Sequence, residues 1–214
     1  MTIRTNWFTM DNKAGVNLNV VISSVTVTNN PTQPEYPGLP HTLGDRVQGN
    51  NGSEWVFVRA SATITCFNVV AIDSLYAATN MTSTLLASNL YAIGIAETQT
   101  IGGVTSGNAN GGVIQANEFF WALVKVVQGA RVNATVSATI SPGAALYLSG
   151  TSPGHVTSSA GTSAAPGGGR LNGLMAISSL DSATTSIPGT LEIGMFSYIM
   201  PGVLVSAYPI STTA

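Results

Sequence analysis

Apolar and polar positions alternate along much of this chain. The alternation is clearest at residues 131–140, where the even-numbered positions are apolar and the odd-numbered positions are polar. This pattern predicts a β-strand with one buried face. Two uninterrupted apolar runs, Trp55–Val58 and Phe119–Val124, predict strands that are covered on both faces. The β-branched segment Leu18–Thr28 predicts another strand.

Turn residues separate these apolar runs. They occur at 49–52, 107–112, Gly129 and 141–143. Short strands at this spacing predict an all-β fold, either an antiparallel β-barrel or a sandwich, with an extended N-terminal arm. The pattern predicts one short helix at Met81–Asn89, with Met81, Leu85 and Leu86 on one face.

A weak internal repeat joins two parts of the chain. Residues 68–73 and 90–97 form one strand–loop–strand unit, and residues 143–149 and 171–178 form another. The second strand of each unit contains a glycine, which is typical of a bend or a close backbone approach. The repeat predicts two halves of one barrel, and the alternative is chance similarity between short apolar strands.

The distribution of proline and small residues predicts the domain organisation. Residues 31–40 contain four prolines, which favour extended backbone. We therefore expect an arm or linker at 1–40, a β-barrel-like core domain at 41–180, and a C-terminal β segment at 181–214 that packs on the core or on a neighbour. The Ser/Ala/Gly-rich stretch 158–169 predicts a flexible surface loop.

Charge is scarce in this chain, which has seven Lys/Arg and nine Asp/Glu among 214 residues. About a quarter of an average soluble chain is charged. Thr, Ser, Asn and Gly take the place of the missing charges. A surface of small neutral polar groups suits a subunit that neighbours cover, because burying an unpaired charge is costly. The alternative is a secreted or virion protein with a Thr/Asn-rich β surface.

The charge pattern also bears on partners and location. The chain has a net charge of −2 and no cluster of basic residues, so we expect neither nucleic-acid binding nor attachment to anionic lipid. The apolar stretch 196–205 is interrupted by Pro201 and Gly202 and is too short for a spanning helix, so we expect no membrane partner. The first residues lack the apolar region of a signal peptide, and we expect synthesis in a reducing cytoplasm.

Residue types that carry chemistry are few. The segment 150–154 matches the Gly-x-Ser-x-Gly pattern of hydrolases. That elbow needs a helix after the serine and the next residue's N–H, which Pro153 lacks. We therefore interpret the segment as a turn. Cys66 is the only cysteine and lies in a strand-like run, so we expect a small buried side chain.

Metal and phosphate sites are likewise not predicted. His41 and His155 have no metal-ligand spacing with other residues. The glycines at 167–169 lack the Lys-Ser/Thr of a phosphate loop, which predicts a loop meeting the next strand. Asp45 and Arg46 are interpreted as a turn-stabilising pair. We expect no enzyme activity, no cofactor and no catalytic or metal-binding residue.

The large aromatic residues divide between core and arm. Trp55 and Trp121 are expected to fill the core, whereas an aromatic arm with little core of its own often docks on a neighbour. Intramolecular packing of the arm is the alternative. The candidate interface residues are Trp7, Phe8, Met10 and Tyr36.

Two stretches carry a resemblance to a known family. Leu-Gly-Asp-Arg-Val-Gln-Gly at 43–49, followed by Gly-Ser-Glu-Trp-Val-Phe-Val-Arg-Ala at 52–60, resembles small proteins that accompany the major capsid protein of tailed bacteriophages. The segments 142–148 and 171–176 are similar to strand pairs of phage head decoration proteins. The resemblance covers about 41–180 and implies a non-enzymatic capsid decoration, or cement, protein.

The resemblance leads to an expected function and partners. We expect the chain to bind the outer capsid lattice of a virion, with the major capsid protein as partner, and to stabilise the head. We also expect a homo-oligomer, most simply a trimer, because three-fold lattice junctions suit one. The alternatives are a receptor- or glycan-binding fibre or tail protein, and a small β-barrel capsid subunit.

Overall fold

The structure, a computed structural model, confirms the predicted all-β fold. It describes residues 16–18, 20–22, 39–88, 91–97, 100–101, 112–135, 139–158, 169–180 and 189–195. These residues form β-strands, one short helix α1 (Ser83–Ser88) and a 3-10 turn (Asn50–Gly52). The strands are β1 (Val20–Val21), β2 (Arg46–Gln48), β3 (Glu54–Ala60), β4 (Ile64–Thr65), β5 (Val69–Ile72), β6 (Ala77–Asn80), β7 (Ala92–Ile95), β8 (Thr100–Ile101), β9 (Val113–Ile114), β10 (Phe119–Ala134), β11 (Ala145–Leu148), β12 (Val156–Thr157), β13 (Arg170–Ala176) and β14 (Gly189–Met195).

Five strands close into a first barrel, here termed barrel 1. Around the ring, β3 pairs with β6, β6 with β5, β5 with β7, β7 with β10, and β10 with β3. The β3–β6 pair is parallel. Strand β5, which comes between them in the chain, runs antiparallel to β6 and returns the chain to the end of the barrel from which β6 starts. Barrel 1 is therefore mixed, which corrects the expectation of a wholly antiparallel barrel.

A second ring, barrel 2, closes around the other end of β10. Here β10 pairs with β12, β12 with β11, β11 with β13, β13 with β14, and β14 with β10. The β10–β12 pair is parallel and the other four are antiparallel, as in barrel 1. The 16-residue strand β10 is thus the last strand of barrel 1 and the first strand of barrel 2.

The two barrels repeat one topology, strand for strand. Strands β3, β5, β6, β7 and the first half of β10 correspond to the second half of β10, β11, β12, β13 and β14. The two units of the sequence repeat contain the equivalent pairs β5/β7 and β11/β13. Each unit closes its own barrel, so the expectation of two halves of one barrel is corrected.

The pairing registers also match the two interiors residue by residue. Ala60 faces Ala78 across the parallel pair of barrel 1, and Ala134 faces Val156 across that of barrel 2. The equivalent positions are all buried, and they come from four of the five strands of each barrel. They are Val56, Val58, Ala60, Val70, Ile72, Ala78 and Ala122 in barrel 1, and Ala130, Val132, Ala134, Leu146, Leu148, Val156 and Ile193 in barrel 2.

A bulge allows one strand to serve both barrels. The register of β10 with β14 shifts between Val126 and Ala130, and Gly129 between them has φ +93°. A positive φ is unstrained only for glycine, and an inserted residue bends a strand locally. Gly129 was predicted to mark a turn, and this is corrected: it lies within a continuous strand.

Barrel 1 is covered on its outside by aromatic packing and by the N-terminal part of the chain. The ring of His41 lies 5.4 Å from that of Phe57 and 5.0 Å from that of Trp121. Phe119 stacks on Phe57 at 6.0 Å, and its backbone exchanges hydrogen bonds with Ile22. All residues from Phe119 to Val124 are buried, which confirms the prediction of strands covered on both faces.

The other core predictions are also confirmed. Trp55 and Trp121 are fully buried. Helix α1 falls within the predicted 81–89, and its first turn is capped by the Thr82 hydroxyl, which accepts the Leu85 N–H at 3.2 Å. Leu85 and Leu86 pack against the core cluster that contains Met81.

The predicted division at 40 and 181 stays a prediction. Within the predicted arm, Leu18 is buried and β1 pairs with β8 in parallel. Within the predicted C-terminal segment, β14 is a strand of barrel 2. Part of each segment therefore contacts the core.

Candidate functional site

The Gly-x-Ser-x-Gly segment is the turn between β11 and β12. The Ser149 hydroxyl accepts the backbone N–H groups of Thr151 and Ser152, at 3.4 and 3.2 Å. The Ser152 carbonyl accepts the N–H of His155 at 3.1 Å. A strand follows the serine instead of a helix, so the predicted turn is confirmed.

This turn docks barrel 2 onto barrel 1. The N–H of Gly154 donates to the Met81 carbonyl, and the Gly154 carbonyl accepts the N–H of Val69, both at 2.8 Å. Gly154 has φ +80°, and a Cβ there would lie 2.7 Å from the Asn68 side chain. Only glycine satisfies both conditions, because any side chain would clash at the contact between the barrels.

A ladder of three asparagines reinforces the same junction. Asn133, on β10, donates from Nδ2 to the Cys66 carbonyl and to Asn68 Oδ1, both at 2.8 Å. Asn68 donates to Asn80 Oδ1 at 2.9 Å and to the Pro153 carbonyl at 3.2 Å, and Asn80 donates to the Thr63 carbonyl. These bonds join β10, the residues just before β5, and the β11–β12 turn.

The ladder corrects one part of the sequence analysis. Asn133 was predicted to lie on the polar, outward face of a strand, but it is only 1% exposed. The polar face of this part of β10 packs against residues 66–68, and the N–H of Asn133 donates to the Phe67 carbonyl at 2.9 Å. Period-two alternation identified the strand but not what its polar face meets.

A buried acid–base pair lies beside the ladder. Glu97 is 1% exposed, and its Oε2 accepts the backbone N–H of Arg131 at 2.9 Å. Its Oε1 lies 3.6 Å from Arg131 Nε, and the guanidinium carbon lies 4.3 Å from the centre of the Phe67 ring. The carboxylate therefore holds Arg131 over an aromatic face. Sequence analysis missed this pair, because nothing local relates residues 34 positions apart.

The other side chains that were considered for chemistry, those of Cys66, His155 and Asp45, are held in the fold by burial or by hydrogen bonds. Cys66 is fully buried, as predicted, and burial raises the pKa of its thiol to about 12, with a smaller contribution from Glu97. Burial lowers the pKa of His155, whose Nδ1 lies 3.2 Å from the Thr135 hydroxyl. Asp45 accepts the Thr42 N–H and so stabilises the turn before β2.

The described ranges contain no group of three or more His, Cys, Asp or Glu that could hold a metal ion. No helix within those ranges is long and apolar enough to cross a membrane. The candidate interface residues Trp7, Phe8, Met10 and Tyr36 lie outside the described residues.

The stretch that carries the family resemblance forms one continuous unit. Residues 43–60 run from the Asp45 turn through β2 and the 3-10 turn into β3, the first strand of barrel 1. The other two stretches that carry the resemblance, residues 142–148 and 171–176, lie on β11 and β13 of barrel 2. The sequence matches no protein-family model and no curated protein.

Proposed function

We propose that this chain is a non-enzymatic virion protein that binds the outside of an assembled capsid lattice and stabilises the head. The observation that carries the proposal is how the chain uses its few charges. Lattice binding of this kind relies on shape, hydrogen bonds and apolar contact, and it needs few free charges.

The described carboxylates hold the chain's own backbone and cations. Asp73 accepts the N–H groups of Leu75 and Ala77, both at 2.8 Å, and Glu118 accepts the N–H of Gln115 at 2.6 Å. Each bond fixes a turn of barrel 1. Glu54 pairs with Lys125 at 3.3 Å, between β3 and β10. The surface left for a partner is consequently rich in neutral polar groups.

The joined barrels support the same proposal. The shared strand β10 and the asparagine ladder make a stiff unit with no loop linker between its two halves. A stiff ligand loses little conformational entropy when it binds across a lattice junction. Because it binds the shell and not the free subunit, it stabilises the shell by mass action.

The experiment is removal and return of the protein. Particles that lack the chain should assemble but break at lower temperature, and purified protein should restore resistance at a fixed stoichiometry. Because few charges are available, restoration should depend weakly on salt. The mass of the purified protein should be that of a homo-oligomer, with the trimer as the expected form.

Three results would contradict the proposal. Depleted particles of normal thermal stability that fail to adsorb to cells would favour a receptor-binding fibre or tail protein. Failure of the shell to form at all would favour a capsid subunit. Binding of the purified chain to free capsid subunits as tightly as to shells would remove the stabilising mechanism.

A further inference from the structure

The β5–β6 turn and the β11–β12 turn occupy equivalent places in the two barrels. In each turn the backbone N–H of the first residue donates to the carbonyl of the last, Asp73 to Ala77 at 3.0 Å and Ser149 to His155 at 2.9 Å. The side chain of the first residue also accepts N–H groups of its own turn in both cases. The two turns can therefore be compared position by position.

This comparison aligns the tips of the two turns. Leu75 and Tyr76, here termed tip 1, correspond to Pro153 and Gly154, here termed tip 2. Tyr76 and Gly154 both have a positive φ, of +59° and +80°. Tip 2 is the part of its turn that docks on barrel 1, through the hydrogen bonds described above. Tip 1 is thus the part of barrel 1 that corresponds to a docking element.

Tip 1 holds an apolar side chain in solvent. Leu75 is 76% exposed, and Met175 is the only other exposed large apolar residue in the described ranges. Asp73 Oδ1 accepts the Leu75 N–H at 2.8 Å, and the Tyr76 ring lies so close to Gly44 that a Cβ there would come within 2.4 Å of it. A positive φ is strained for tyrosine, so these contacts fix the tip in one shape. A single exposed leucine is ordinary, but this one is rigidly held at the docking position.

The place where tip 2 docks also has an equivalent, at the start of β11. Within barrel 1, tip 2 contacts Asn68 and Val69, which are both buried. The registers of the two barrels match these residues with Ala144 and Ala145, which are only half-buried. Met175 pairs with Ala145 and is 37% exposed. Barrel 2 therefore exposes an apolar site where barrel 1 receives a tip.

We propose that tip 1 of one copy of this chain binds barrel 2 of a second copy, with Leu75 packed against Ala145 and Met175. The contact repeats between copies the relation that tip 2 has to barrel 1 within one copy. Its two halves lie on different barrels, so the contact is head-to-tail, and such contacts form a ring when the rotation between copies closes. The inference rests on the homo-oligomer part of the proposed function and gives it an interface.

Cross-linking of mixed copies tests which residues meet. A chain with Leu75→Cys and a chain with Met175→Cys are co-expressed and treated with a short bis-maleimide. The native Cys66 does not compete, because it is fully buried. Cross-linked dimer should form in the mixture and stay at background level in either chain alone. Absence of dimer in the mixture, or equal cross-linking in Leu75→Cys alone, would overturn the proposal, the second because it identifies a symmetric contact between two tips.

The mass of the protein in solution, measured over a range of concentrations, is an independent test. Leu75→Asp should weaken self-association at least about tenfold, because it buries an unpaired charge in an apolar contact. Ala116→Asp adds the same charge at an exposed position in another turn of barrel 1 and should leave self-association unchanged. Both variants should melt like the unaltered chain, since both side chains are exposed. Equal self-association of the two variants, or a monomer in the unaltered chain, would contradict the inference.

Binding to capsid shells is measured with the same chains, so that the two proposals fail separately. If the unaltered chain associates through Leu75 and Met175 but does not protect shells from heat, the capsid proposal fails and the interface stands. If the chain protects shells as a monomer, the interface fails and the capsid proposal stands.

Discussion

Replacing Asn133 by alanine should destabilise the protein more than any single exposed polar substitution. The side chain is 1% exposed and donates two hydrogen bonds of 2.8 Å, to the Cys66 carbonyl and to Asn68 Oδ1. Both acceptors lie at the junction between the barrels. Removing the amide leaves them without this donor in a place that water does not reach.

The magnitude follows from those two bonds. A buried hydrogen-bonding group that loses its partner costs about 1–3 kcal/mol. Asn68 keeps its own donor bonds to Asn80 and to the Pro153 carbonyl, so the ladder is shortened but not abolished. We expect a loss of about 2–4 kcal/mol in the free energy of unfolding. For a chain of this size, that lowers Tm by roughly 4–16 °C.

The assay is urea unfolding followed by tryptophan fluorescence and by circular dichroism. Asn172→Ala is the matched control, because Asn172 is an exposed asparagine on β13. The control should change stability by less than about 0.5 kcal/mol. Both signals should give one common transition, because β10 belongs to both barrels and one apolar cluster joins the outside of barrel 1 to the interior of barrel 2.

Two results would refute this reasoning. A cost for Asn133→Ala no greater than that for Asn172→Ala would show that the ladder adds nothing to stability. Two separate transitions in the unaltered protein would show that the barrels unfold independently, and the junction would then not couple them. A double-mutant cycle with Asn68→Ala measures the coupling directly, and we expect a nonzero interaction energy.

Three further predictions concern other parts of the barrels. Gly94→Ala should cost about 1–3 kcal/mol because the new Cβ would lie 3.0 Å from Ile72 Cδ1, whereas Gly150→Ala, in open space, should be nearly neutral in the same melting assay. Cys66 should not react with a thiol reagent at mildly alkaline pH until the protein unfolds, because burial raises its pKa to about 12; rapid labelling of the native state would contradict this. Burial lowers the pKa of His155, so its contribution to stability is present above its unfolded pKa and lost as pH falls through the folded pKa. The free energy of unfolding should therefore decline from about pH 7 to pH 5, and this decline should be smaller in His155→Gln. An equal decline in His155→Gln would contradict the prediction.

Several parts of the fold were predictable because they depend on local periodicity. The two-sided apolar runs at 55–58 and 119–124 are buried on both faces, and the short helix lies within the predicted 81–89. Burial of each side chain follows from its own chemistry and from that of its near neighbours in sequence. The internal repeat was also visible, since equivalent strands keep similar apolar patterns.

Other features arise only when distant segments meet in three dimensions. Alternation alone placed Asn133 outside, and only the docking of β10 on residues 66–68 buries it. Glycine is typical of turns, and only the pairing of β10 with β14 makes Gly129 part of a bulge within β10. The Glu97–Arg131 pair joins the residues that follow β7 to the second half of β10, 34 positions later in the chain. The sequence alone thus determined the longest apolar strands and the apolar face of each, because side-chain solvation and backbone preference are local. The tertiary structure decided that there are two barrels, that they share a strand and that a polar ladder joins them, because these depend on pairing between residues far apart in the chain.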